Sequence, residues 1–124
     1  MSLKKIAFGL VTVSMLSSIT VSAATLYSAT LTGTNAESNF TTLGSGTRYM
    51  KVSGEAGNGK ASAMKIVKYA PDKVVGSTLS ITAPNSGSTS FKADSYNSSG
   101  DVQSYYFRWK GSNSTAKASF SFTN

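Results

Sequence analysis

Cysteine and histidine are both absent from this chain of 124 residues, and only five residues are acidic. Without cysteine no disulfide framework supports the fold, and no thiol nucleophile or soft metal ligand exists. Without histidine the usual general base near neutral pH is missing. The acids Glu37, Glu55, Asp72, Asp94 and Asp101 are scattered along the chain, so no paired-carboxylate hydrolase site is suggested and no calcium loop is spelled out. Walker-type and Rossmann-type phosphate loops are absent too. This inventory argues against an enzyme and implies no cofactor and no metal.

Two S-x-x-K matches, Ser62 to Lys65 and Ser114 to Lys117, lack the helical context that brings such side chains together, and chance accounts for both in so serine-rich a chain. Sequons at Asn39, Asn97 and Asn113 all fall in predicted loops.

Long hydrophobic runs are scarce as well. The one stretch of this kind, Ile6 to Met15, follows Lys4 and Lys5 and precedes the small residues Val21-Ser22-Ala23. It is shorter than the ~20 apolar residues a membrane span needs, and the pattern reads as a secretory signal over residues 1–23. The expected mature chain is 24–124, beginning at Ala24, one domain in length. It carries ten basic residues against five acids, a net charge of +5. The expected localisation is secreted, at or near a cell surface.

What is present is Ser, Thr, Gly and Asn, with short alternating runs between turn signals. That pattern predicts an all-β fold: a single-domain antiparallel β-sandwich of about seven strands, with a closed barrel as the alternative. The runs are Thr25 to Thr32, Thr47 to Ser53, Lys60 to Tyr69, Val74 to Thr82, Ser88 to Ser95, and two arms within Val102 to Thr123. Residues 60–69 admit a short helix, but Ile66-Val67 favours a strand. Gly54 to Gly59 reads as a loop.

The two last arms form the predicted organiser of the fold. Tyr105, Phe107 and Trp109 alternate with polar residues in one arm; Ala116, Ala118, Phe120 and Phe122 do so in the other. Around the loop Gly111 to Ser114 they read as a hairpin with Trp109 opposite Ala116 and Phe107 opposite Ala118. In that register the apolar faces are core, and Arg108 lies opposite Lys117 on the wet face, flanked by Lys110 and Tyr106. Like charges set opposite each other destabilise a strand pair, so Arg108, Lys110, Lys117 and Tyr106 are the candidate binding residues. A solvated face protected by charge is the plainer reading. Tyr49, Tyr96 and Tyr106 are the expected exposed aromatics.

The expected function is non-enzymatic binding to an anionic cell-wall polymer or membrane surface, since net positive charge attracts such surfaces at long range. A target on another bacterium's envelope would make it bacteriocin-like; one on the producer's own wall, structural or adhesive. A carbohydrate-binding or matrix module and a small enzyme inhibitor are the alternatives, and no specific nucleic-acid partner is expected.

Overall fold

Period-two alternation becomes two stacked antiparallel sheets. The computed structural model describes residues 23–124; all of the expected signal segment but Ala23 lies outside the described residues. The strands are β1 (Thr25–Thr32), β2 (Ala36–Glu37), β3 (Gly46–Ala56), β4 (Asn58–Lys65), β5 (Lys73–Thr82), β6 (Ser86–Ala93), β7 (Tyr105–Gly111) and β8 (Lys117–Thr123). One sheet has the order β1-β8-β3-β6 and the other β2-β7-β4-β5. Neither closes on itself, so the fold is a sandwich and not a barrel.

The organising hairpin is corrected. β7 and β8 are not ladder partners: β7 lies between β2 and β4, and β8 between β1 and β3. The connection after Gly111 crosses from one sheet to the other, and the two aromatic arms meet face to face across the core. Phe107 stacks on Phe122 at 4.1 Å between centroids and lies 5.1 Å from Phe120, while Trp109 meets Phe120 edge-on at 6.0 Å. Alternation specifies which face is apolar, and both arrangements satisfy it. Packed sheets ~10 Å apart accommodate large residues opposite each other, and such aromatic pairs contribute about 0.5–1.5 kcal/mol each beyond burial.

Trp109, Phe107 and Tyr105 are fully buried, as their alternation predicts. Their polar atoms are satisfied. Trp109 Nε1 donates to the Ala116 carbonyl at 3.1 Å, and the Tyr105 hydroxyl accepts from the Asp94 amide at 2.9 Å. Met50, Val52, Ile81, Phe91 and Leu31 complete the core.

The two ends of the sandwich differ. At one end the connections are residues 33–35, Gly57 alone, 83–85 and 112–116, and all four cross between sheets. Gly54 to Gly59, expected as a loop, is strand on either side of Gly57, whose φ of +62° makes the turn. At the other end the connections are residues 38–45, 66–72 and 94–104. These are called below the short-turn end and the loop end.

Residues 60–65 are strand, and 66–69 leave the sheet before the proposed end at Tyr69. The short β2 was not foreseen. The edges are treated unequally. β5 is bulged at Gly76 to Thr78 and leans on β6, where the Ser77 amide donates to Thr89 Oγ1 at 2.8 Å. The two-residue β2 is extended by Ser38 and Thr41, both of which bond to β7.

Candidate functional site

The outward face of the β2-β7-β4-β5 sheet sets two lysines against each other. Because Trp109 and Ala61 point into the core, their neighbours Lys110 and Lys60 point out, and the register sets these two lysines directly opposite each other, with Ser80 next to Lys60 on β5. Both lysines are exposed. They line a shallow depression of about 330 Å³ together with Asn58, Ser80, Thr82 and Ser112. Two ammonium groups, three hydroxyls and an amide therefore converge on one opening. All can donate hydrogen bonds, and none is a carboxylate.

The acids of the described residues are engaged elsewhere. Glu37 pairs with Arg108 at 3.0 Å, Glu55 with Lys117 at 3.5 Å, Asp94 with Lys65 at 3.4 Å and Asp101 with Lys68 at 3.2 Å. Asp72 accepts from the Val67 amide and the Tyr106 hydroxyl. Among the described residues, Lys51, Lys60, Lys73, Lys92 and Lys110 have no acidic partner. A second like-charged pair, Lys65 opposite Lys73, carries Asp94 on Lys65. The Lys60–Lys110 pair has no such neutraliser.

Of the four residues singled out in the sequence, Tyr106, Arg108 and Lys110 share the outward face of β7, and Lys117 is separated from them. Arg108 and Lys117 lie in different sheets. Arg108 faces Ser62 and Glu37 in the ladder and donates to Glu37 and to the Tyr106 hydroxyl. Lys117 faces Thr32 on the opposite outer surface and pairs with Glu55, which also accepts from Ser119. Tyr106, expected to be exposed, is 2% exposed, because Phe40 packs on its ring at 5.5 Å and Met64 is beside it on β4. Its hydroxyl donates to Asp72 at 2.7 Å. Burial first, and then that bond to a carboxylate, push the phenol up from 10.0 to about 12. Lys110 alone keeps the expected role of an exposed, unneutralised cation, and Lys60 takes the place assigned to Lys117. The signal that would have found Lys60 is a pairing between residues fifty apart in sequence, which local alternation does not carry.

The opposite outer surface carries Lys51, Lys92 and the Lys117–Glu55 pair, spread out so that no two cations face each other in the ladder. Two rows run across it, Ser28-Ser121-Lys51-Ser88 and Thr30-Ser119-Ser53-Ser86. They floor an open depression of about 650 Å³ with one lysine. Serine and threonine hydroxyls surround Lys51 there, and no second ammonium group faces it as Lys110 faces Lys60.

Ser62 and Lys65 of the first S-x-x-K match diverge. Ser62 Oγ bonds to Thr78 Oγ1 at 3.0 Å and Lys65 Nζ to Asp94. The sequon residues Asn97 and Asn113 hold turns: Asn97 Oδ1 accepts from the Ser99 and Asp101 amides, and Asn113 Oδ1 from the Thr115 amide and hydroxyl. No protein-family model, curated protein or solved structure matches the chain.

Proposed function

We propose that the protein is a secreted, non-enzymatic binding protein that engages an anionic envelope polymer or membrane surface through Lys60 and Lys110. The observation that carries this reading is that two lysines face each other across β4 and β7 with no acid to separate them. Like charges held opposite each other cost the sheet about 0.2–1 kcal/mol. An anion seated between them reverses the sign of that interaction. The neighbouring Ser80, Thr82 and Ser112 hydroxyls suit phosphate or carboxylate oxygens. The strands hold the lysines without help from a flexible loop, so their fields add at one place.

The test compares Lys60→Ser/Lys110→Ser with Lys51→Ser/Lys92→Ser, which lose the same net charge, in sedimentation with purified cell walls and with anionic vesicles. Each lysine near an anionic surface is worth about 1 kcal/mol, so the first variant should bind about 30-fold more weakly and the second much less so. Wild-type binding should fall steeply towards physiological salt, where the screening length is ~8 Å. Equal losses in the two variants would leave only overall charge, and the local site would be abandoned.

A further inference from the structure

The loop end carries a different chemistry. Tyr69 is 95% exposed, and its backbone is left-handed at φ +61°, the one residue other than glycine with positive φ among the described residues. Glycine or asparagine occupies such a position at little cost, whereas a bulky side chain is strained there. No fold contact of the ring accounts for the strain, and strained residues gather where binding needs them.

Tyr96, 64% exposed, lines the same cleft of about 520 Å³ from the facing loop. Two smaller depressions adjoin it, one through Ile66, Lys68, Asn97 and Gln103, the other through Tyr96. Together they form a track and not a single socket. Its floor and rim are held in place. Gln103 is buried and its Nε2 donates to the Ile66 and Ser104 carbonyls; Asp72 fixes the Val67 amide; Asn97 caps its own turn. Lys68 Nζ sits 5.4 Å from the Tyr69 ring centroid, which biases the ring's position.

We infer that this track is a binding cleft for a neutral oligosaccharide, with Tyr69 and Tyr96 as stacking surfaces for successive sugar rings. Flat exposed aromatics meet the apolar face of a pyranose, and a few placed polar groups fix its orientation. The polar groups here come as donor–acceptor pairs, Lys65 with Asp94 and Lys68 with Asp101. A sugar hydroxyl both donates and accepts, so it can engage both members of such a pair. The same pairing leaves Lys73 as the one cation of the track without an acidic partner, which separates this cleft from the opposed, unpaired lysines of the Lys60–Lys110 depression. Loops already pinned in place lower the ordering cost of binding.

The experiment is affinity electrophoresis of the full domain through gels containing soluble neutral glucans, mannans or xylans, with pull-down on chitin and cellulose at high salt. The variants are Tyr69→Asn, Tyr96→Ser and, as a control on the opposite outer surface, Tyr49→Ser. Wild type should be retarded by at least one of these polysaccharides. Tyr69→Asn and Tyr96→Ser should each weaken binding about tenfold or more, and Tyr49→Ser should not. Tyr69→Asn should also raise the denaturation midpoint, because asparagine tolerates the left-handed backbone, so its loss of binding cannot be blamed on unfolding. Retardation should persist in Lys60→Ser/Lys110→Ser and at high salt. Absence of binding to every polysaccharide, binding unchanged in the Tyr69→Asn/Tyr96→Ser double variant, or binding abolished by salt would each overturn the inference.

Discussion

The two ends of the sandwich join their strands by opposite means. All four connections of the short-turn end cross between the sheets, whereas at the loop end 38–45 and 94–104 cross and 66–72 joins the neighbours β4 and β5 within one sheet. The short-turn end uses few residues and packs them against backbone. A Cβ at Gly111 would collide with the Gly33 carbonyl oxygen and come within 2.6 Å of the Ala116 Cβ, while Trp109 seals the layer beneath through its bond to the Ala116 carbonyl. The loop end uses long segments tied down by side chains: Asp72, Asn97, Gln103, and Arg48, which donates to the Leu43, Ser45 and Thr47 carbonyls. The two opposed lysine pairs follow the same division. Lys65–Lys73 lies at the loop end and has Asp94; Lys60–Lys110 lies towards the short-turn end and has no acid. Tight turns and an opposed lysine pair without an acid thus coincide at one end, and pinned loops, exposed tyrosines and mostly paired charge at the other.

The difference is open to direct attack. Trp109→Ala removes the largest fully buried side chain and should cost about 3–5 kcal/mol, a large part of the stability of a domain without disulfides. A denaturant midpoint that stayed put would mean that the short-turn end is not sealed by this residue. Next in size, Gly111→Ala should cost about 1–3 kcal/mol by overpacking against backbone that cannot move away. Its counterpart at the loop end, Gly100→Ala, meets no atom within 4 Å and bears only the strain of φ +85°, about 1 kcal/mol. The reverse ranking in chemical denaturation would contradict the assignment of the packed end.

A smaller and pH-dependent effect concerns Tyr106, which ties the 66–72 loop to the sheet through Asp72. Its phenol is raised in the folded state from 10.0 to about 12, so the protonated form is the one folding favours. Its contribution is fully present below pH 10 and is lost as pH rises through about 12. Tyr106→Phe should cost about 1.5 kcal/mol at neutral pH, the worth of a hydrogen bond to a charged group. The stability difference between wild type and variant should shrink over that alkaline interval. A difference constant to pH 12 would show that the bond to Asp72 contributes nothing.

How much of this was legible in the chain depends on the range of the signal. The bounds of strand β1 and the inward facing of Met50, Val52, Phe91, Tyr105, Phe107, Trp109, Phe120 and Phe122 are legible, because alternation is local. Tyr106 is the exception, covered on the outward face of β7 by Phe40. β4 resisted. Its Ala61 and Ala63 face the core, yet Ser62 and Met64 on the other face are covered as well, so no alternation exists to read. Partner identity was the larger loss. The apolar faces of β7 and β8 point at each other whether the arms are ladder neighbours or lie across the core, and only the second arrangement separates Arg108 from Lys117. Nothing in Lys68-Tyr69-Ala70 announces a left-handed tyrosine, and the pattern there continues as strand. Tyr96 was anticipated as exposed from its place between polar residues.

The central claim is that Lys60 and Lys110 act as one anion site, and backbone amide NMR of the labelled protein, titrated with a polyphosphate at low salt, tests it most directly. The account predicts that shifts concentrate at Asn58 to Lys60, Ser80 to Thr82 and Lys110 to Ser112. They should vanish in Lys60→Ser/Lys110→Ser, a variant at least as stable as wild type because about 0.2–1 kcal/mol of cross-strand repulsion is removed. Shifts spread evenly over Lys51, Lys73, Lys92 and Lys110, or centred on Arg108 and Lys117, would contradict it.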